Sequence, residues 1–323
     1  MKQIILILAI LLISFSSFSQ EWPDLYNNVR SKFKFKSISV RVHSIEELKE
    51  YDSLEVSRIE YDKNGKVIYQ KEFMLFDVML YSEESKNKFN DKGQLIERIE
   101  IKTDYPQTKE DSSLLSFSEM KNPSTKKYTY EYDIKGNLIK VLEFLSAEDK
   151  APALISVYTY NEDGKRIKGV FSHIKFPKQT SSSNRIEMYE YDAKGLLIQV
   201  KMNWTTSDVS SLKTIEYDSI GNKVFELIRH NNGSGNVMQY QYHNGRLMSI
   251  ERFNLGQKKW FSKTLYEYSE AGYKIKEITK NNSGNESMET FEYNKQGLLT
   301  KEYWYTDTGK KSFSFETSYQ FYE

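Results

Sequence analysis

The sequence contains no cysteine. That absence excludes disulfides, thiolate metal sites, cysteine nucleophiles and a lipid-modified N-terminal cysteine. An excess of one charge is missing too: 46 Lys and Arg oppose 45 Asp and Glu, a formal net charge of +1. The signs are interleaved, and no basic run is long enough to attract nucleic acid or an anionic membrane surface. Long apolar runs are confined to the opening "MKQIILILAILLISFSSFSQEW". Lys2 is its charged start, Ile4 to Ile13 its apolar stretch, and Ser17 and Ser19 are small residues before a cut near Gln20. The apolar stretch is about half of the roughly 20 residues a spanning helix needs. Residues 1–19 therefore read as a secretory signal peptide, with an uncleaved membrane anchor as the alternative. The mature chain is expected to be soluble and exported, to the periplasm or the cell surface, with no membrane insertion.

Aliphatic residues are also sparse. Hydrophobic content is 38%, yet aromatics reach 14%, with 24 Tyr and 18 Phe. Abundant Tyr and Phe with few aliphatics is the composition of sheets with partly wetted faces rather than of a disordered chain.

The tyrosines recur in one phrase. Nine copies align on a glycine, beginning "IEYDKNGKVI" at Gly65, "NKFNDKGQLI" at Gly93, "YEYDIKGNLI" at Gly136, "YTYNEDGKRI" at Gly164 and "YEYDAKGLLI" at Gly195. They continue with "IEYDSIGNKV" at Gly221, "YQYHNGRLM" at Gly245, "YEYSEAGYKI" at Gly272 and "FEYNKQGLLT" at Gly297. Successive glycines lie 28, 43, 28, 31, 26, 24, 27 and 25 residues apart, a period that signals a repeat array.

Each copy reads as a hairpin. Tyr128, Tyr130 and Tyr132 alternate with Thr129 and Glu131, the period of two that gives a strand one aromatic face. Asp133 and Gly136 suit the first and last positions of a type I turn closed by a left-handed residue. The return strand then sets Leu138 opposite Tyr132, a cross-strand pair worth roughly 0.2–1 kcal/mol. The seventh copy has one residue fewer before its glycine, and its turn becomes Asn244-Gly245, the pair a two-residue turn demands. Connections at the other strand ends, such as "LSAEDKAPA", "HIKFPKQTSSSNR", "NWTTSDVSS" and "RHNNGSGN", vary in length and content. Tight turns should fall on one edge and variable loops on the other, and the variable edge is the expected place for binding groups.

The expected fold is all-β: an antiparallel β-hairpin repeat array, an extended or curled single sheet or solenoid-like. Residues 1–19 are the signal and 58–323 the array. Residues 20–57 form an N-terminal capping segment, in which Ser44 and Glu47 have the capping-box spacing for a short helix.

"YEYDIKGNLI", "YEYDAKGLLI" and "IEYDSIGNKV" resemble the YD-repeat, or Rhs-type, pattern over most of residues 58–300, and "EYWYTDTGKKSFSFE" is similar to a MORN-like hairpin. The resemblance implies a β-sheet shell of the kind that can enclose a toxin, with carbohydrate binding attached. This chain is far shorter than such a shell, and the resemblance fixes no active residue.

No chemical motif stands out. His43, His173, His230 and His243 lack paired-ligand spacing and read as polar surface residues. No Walker, GxSxG or GxGxxG pattern is present. The turn acids Asp62, Asp91, Asp133, Asp192 and Asp218 are too dispersed along an edge for calcium, which needs six to eight converging oxygens. Trp204, Trp260 and Trp304 lie in or beside variable connections and could stack on sugar rings. No catalytic, cofactor-binding or metal residue is therefore assigned, and the ligand-binding residues are left unknown. The leading expectation is a non-enzymatic exported protein that binds a glycan or an envelope protein along its variable edge. The alternatives are a structural or Rhs-associated immunity-like module without a small ligand, and a hydrolase using paired loop carboxylates.

Overall fold

The structure is a computed structural model that describes residues 33–44, 54–76, 79–106, 123–174, 184–205, 210–305 and 309–322. The signal segment, the short helix expected near Ser44–Glu47 and the connections at 107–122, 175–183 and 206–209 lie outside or beyond these described residues. Among the described residues twenty strands follow one another: β1 (Phe35–Ser44), β2 (Leu54–Tyr61), β3 (Val67–Phe76), β4 (Met79–Phe89), β5 (Leu95–Pro106), β6 (Ser124–Tyr132) and β7 (Leu138–Phe144). Next come β8 (Leu154–Tyr160), β9 (Arg166–His173), β10 (Arg185–Tyr191), β11 (Leu197–Trp204), β12 (Ser210–Tyr217), β13 (Lys223–His230) and β14 (Gly235–His243). The last are β15 (Arg246–Asn254), β16 (Lys259–Tyr268), β17 (Lys274–Asn281), β18 (Glu286–Tyr293), β19 (Leu299–Tyr305) and β20 (Lys311–Phe321). The all-β antiparallel expectation holds.

The chain forms two compact units, residues 1–127 with 289–323, and residues 128–288. In the first, β19, β20, β1, β2, β3, β4 and β5 pair side by side, all antiparallel. β1, which falls within the segment expected to cap the array, is hydrogen-bonded to β2 on one side and to β20 on the other. The last strand thus lies against the first, and this corrects the extended or solenoid-like arrangement. A solenoid stacks only sequence neighbours, whereas the β1–β20 pairing joins residues nearly the whole chain apart. Two small cores sit here: Val42, Val56, Trp304, Phe313 and Phe315, and Phe35, Ile38, Tyr61 and Leu298. In the second unit, β7 to β17 form an uninterrupted antiparallel meander.

The turns behave as their residues dictate. Gly136 N–H donates to Asp133 C=O at 3.0 Å and Asp133 N–H to Asn137 C=O at 2.9 Å, with Gly136 at φ +89°. This is the three-residue loop with a bulge, and the register places Tyr160, Tyr191 and Tyr217 opposite Arg166, Leu197 and Lys223, each two past the glycine. The seventh copy has Asn244 at φ +50° and Gly245 at φ +74°, with His243 opposite Arg246: the two-residue turn.

The opposite rim is less irregular than its sequence suggests. After β13, Gly233 N–H donates to His230 C=O and His230 N–H to Ser234 C=O; after β17, Asn281, Gly284 and Asn285 repeat the pattern. "NNGSGN", read as a loop, is therefore the same tight turn, because Asn and Gly satisfy it without the Tyr-Asp prefix.

The tyrosines do more than pack. Tyr160 Oη donates to the Leu138 carbonyl at 2.7 Å, Tyr191 to Arg166 at 2.9 Å, Tyr217 to Leu197 at 3.0 Å, Tyr268 to Leu247 at 2.8 Å and Tyr319 to Leu299 at 2.6 Å. Each acceptor stands at or next to the start of the return strand of the preceding hairpin. In the first four the tyrosine before a turn thus staples its own hairpin to the one before, and Tyr319 ties the last strand, β20, to β19 in the same way.

Candidate functional site

The turn acids are occupied by the turns. Asp133 Oδ1 accepts Asn137 N–H and Oδ2 accepts the Asn137 amide, both at 2.8 Å, which with further backbone N–H groups holds this carboxyl below its ordinary range. Burial works against Asp218, yet the same contacts from Asn222 and neighbouring N–H groups still keep its pKa low. Asp62 and Asp192 make the equivalent bond to Lys66 and Leu196. In the second copy the first turn position belongs to Asn90, which bonds Gln94, so Asp91 is a bystander. Among the described residues no group of three or more His, Asp or Glu is arranged to hold a metal ion.

The other candidates are dispersed. His43 faces Glu316 at 3.4 Å, His230 Nδ1 lies 2.6 Å from Ser211 Oγ, and His243 sits beside Asn244 in its turn. Trp304 is 5% exposed, packs on Phe315 at 5.2 Å and donates to Glu302, so it is core and offers no sugar platform. Trp204 and Trp260 are half-buried.

On the tyrosine-bearing face of residues 128–288 the structure brings out a pattern that the turn alignment overlooks. Two places after the turn glycine stand, in order, Leu138, Arg166, Leu197, Lys223, Leu247 and Lys274; three further on stand Val141, Gly169, Val200, Glu226, Ile250 and Glu277. Apolar and charged hairpins alternate. The cations lie among tyrosines: Arg166 sits 4.0 Å over the Tyr158 ring and Lys223 4.5 Å over Tyr240. Glu226, 4% exposed, is paired with Lys213 at 3.1 Å and Lys223 at 3.0 Å; burial pushes its pKa up, but the two ammonium groups bring it below its usual value. Glu277 pairs with Lys274 at 2.7 Å. Tyr189 donates to Glu187, and burial with that carboxylate pushes its pKa up to about 12. These charges satisfy one another within the sheet and fill the face rather than opening a site.

A site opens in the first unit. A groove of about 340 Å³ crosses β3, β4, β5 and β6 on the face continuous with Gln70 and Glu72. The pairing sets Ser57, Glu72, Glu83 and Lys102 in one row and Gln70, Ser85 and Glu100 in the next. Residues directly opposite in a sheet are about 4.5–5.5 Å apart at Cα, so Glu72 and Glu83 are immediate neighbours. Burial raises the Glu72 pKa, the Gln70 amide bond lowers it, and the Glu83 charge raises it again, with a net upward shift. Arg98, Lys102 and Lys126 bound the β5–β6 side. Arg98 Nε donates to Asn87 at 2.9 Å, and Lys102 Nζ lies 4.2 Å over the Tyr81 ring. Glu84 borders the groove, but its side chain pairs on the opposite face with Lys71 at 2.7 Å and accepts from Tyr69 at 3.3 Å. Nothing in the repeat phrase marks these residues. The detectable signal is the run of charges at alternate positions of β5, Arg98, Glu100 and Lys102.

No protein-family model matches the chain, and no curated protein does. Among solved structures, a porin-like protein from Bacteroides uniformis is 12% identical with a TM-score of 0.40, over 88% of this chain and 96% of its own. A TcdB2-TccC3-Cdc42 structure is 12% identical with a TM-score of 0.30, over 81% of this chain and 20% of its own. The Photorhabdus luminescens Tc holotoxin pore gives 12% and 0.30, over 82% and 19%. The chain thus spans about a fifth of the toxin chains it matches, and the likeness is a distant one.

Proposed function

We propose that this is an exported, non-enzymatic β-repeat protein that binds a polar partner, a glycan or an envelope protein, in the groove across β3–β6. The observation that carries this reading is the groove itself, a concave polar surface at the low end of the roughly 300–1,000 Å³ range of ligand sites. It moves the binding surface from the variable rim to the face of the sheet.

An aqueous setting is supported by the charges on both faces of residues 128–288. One face carries Arg166, Lys213, Glu226 and Lys274; the other carries cross-strand pairs Lys201–Glu190 at 2.9 Å, Lys263–Glu251 at 2.6 Å and Lys276–Glu267 at 3.2 Å. A lipid-facing Lys or Arg at mid-bilayer costs about 2–4 kcal/mol, and among the described residues neither face has an uninterrupted apolar band.

The test is capture of glycans and envelope polypeptides by the mature protein and by Ser85→Trp, which fills the groove. Ligands held by the first and lost by the second, at unchanged melting temperature, support the reading. Equal capture by both, or none by either, refutes it. The neighbouring carboxylates Glu72 and Glu83, one with a raised pKa, also fit a hydrolase as a second reading; turnover of a captured ligand that Glu72→Gln abolishes would favour it.

A further inference from the structure

Resting on that groove, we infer that its occupant is an extended polypeptide segment carrying a basic and an acidic side chain two residues apart, in preference to a neutral sugar. The charges are sorted across the strands. Glu72 and Glu83 stand side by side on β3 and β4, and Lys102 continues their row on β5, with Arg98 and Lys126 on the same side. Glu100 stands near Arg98, 3.8 Å away, and offsets part of that cation. The row therefore runs from two acids to a base.

Length fixes the spacing. A cation midway between Glu72 and Glu83 stands one and a half inter-strand steps of about 4.8 Å from Lys102, about 7 Å in all. Two residues of extended chain cover about the same distance and keep both side chains on one face. A ligand lysine or arginine set between Glu72 and Glu83 relieves the repulsion of two adjacent carboxylates, and a ligand carboxylate two residues on meets Lys102. Gln70 and Ser85 in the next row supply donors and acceptors for the intervening backbone.

A neutral sugar has less to hold. Sugar rings are gripped by an open aromatic face, and among the described residues none that lines the groove is aromatic. Tyr81, on β4 beside it, has its ring beneath the Lys102 ammonium.

The experiment is calorimetric titration of the mature protein with four probes. They are a blocked pentapeptide Gly-Lys-Ala-Glu-Gly, an isomer with Lys and Glu adjacent, an analogue with Gln at both positions, and a glucose tetrasaccharide. The first should bind at least ten-fold tighter than each of the others. Glu83→Gln and Lys102→Gln should each weaken it about ten-fold or more without lowering the melting temperature, and 0.5 M salt should weaken it as well. Equal affinity for the adjacent-charge isomer or for the Gln analogue overturns the inference. Tetrasaccharide binding that Ser85→Trp abolishes overturns the peptide occupant but leaves the groove as the site; no binding of any probe overturns the inference, and the proposed function falls with it only if Ser85→Trp also fails to change capture of envelope material.

Discussion

The staple between hairpins makes Tyr191→Phe the most discriminating single change. The substitution keeps the ring, its packing and its strand propensity, and removes one hydroxyl that donates to the Arg166 carbonyl at 2.9 Å. A net intramolecular hydrogen bond contributes about 0.5–1.5 kcal/mol, so the denaturation midpoint should fall by that amount with an unchanged slope. Tyr158→Phe is the control. Its ring lies beneath the Arg166 guanidinium, a contact that needs no hydroxyl, and its cost should stay within about 0.5 kcal/mol. The staples lie on β8, β10, β12, β16 and β20, so apart from Tyr160 and Tyr191, which both bond Arg166, their costs should nearly add. Removing the hydroxyls of Tyr160, Tyr191, Tyr217, Tyr268 and Tyr319 together should cost about 5 kcal/mol, the low end of a whole protein's stability. Urea titrations followed by circular dichroism measure all three variants. Equal losses for Tyr158→Phe and Tyr191→Phe would refute the staple, because packing alone would then explain the tyrosines.

Two further outcomes follow from local geometry. Gly221 has φ +96° and open space around an added Cβ, so Gly221→Ala should cost only left-handed strain, about 1–2 kcal/mol. At Gly235 the same atom would lie 2.0 Å from the Ile228 carbonyl oxygen, and Gly235→Ala should exceed about 3 kcal/mol in the same titration. Burial raises the Glu72 pKa against the Gln70 bond, with the Glu83 charge adding to the rise, so the folded state binds this proton more tightly than the unfolded state does. Stability from this group is present below the unfolded carboxylate pKa and is lost as pH rises through the folded one. Glu72→Gln should therefore raise the melting temperature at pH 7 and leave it unchanged near pH 4; a loss at pH 7 would contradict the burial.

Much of this molecule was legible in the repeat phrase because hairpin turns are local. The alternation of Tyr128, Tyr130 and Tyr132 set a strand, Asp133 and Gly136 set its turn, and Asn244-Gly245 set the shorter one, each through constraints that act within four or five residues. The alternating Leu and cation after successive glycines was equally readable and went unread, since a single-copy alignment hides a period of two copies.

What the sequence could not determine is where distant strands meet. The pairing of β1 with β20 depends on edges that every strand of an antiparallel array presents alike, and only the folded chain selects between them. Trp304 beside its connection looked available for a ligand until Phe313 and Phe315 from β20 covered it. The groove arose in the same way. Glu72, Glu83 and Lys102 are ordinary surface charges one at a time, and it is the register between β3, β4 and β5 that sets them in a single row. Periodicity fixes which way a side chain faces, but register decides its neighbours, and register is a property of the assembled sheet.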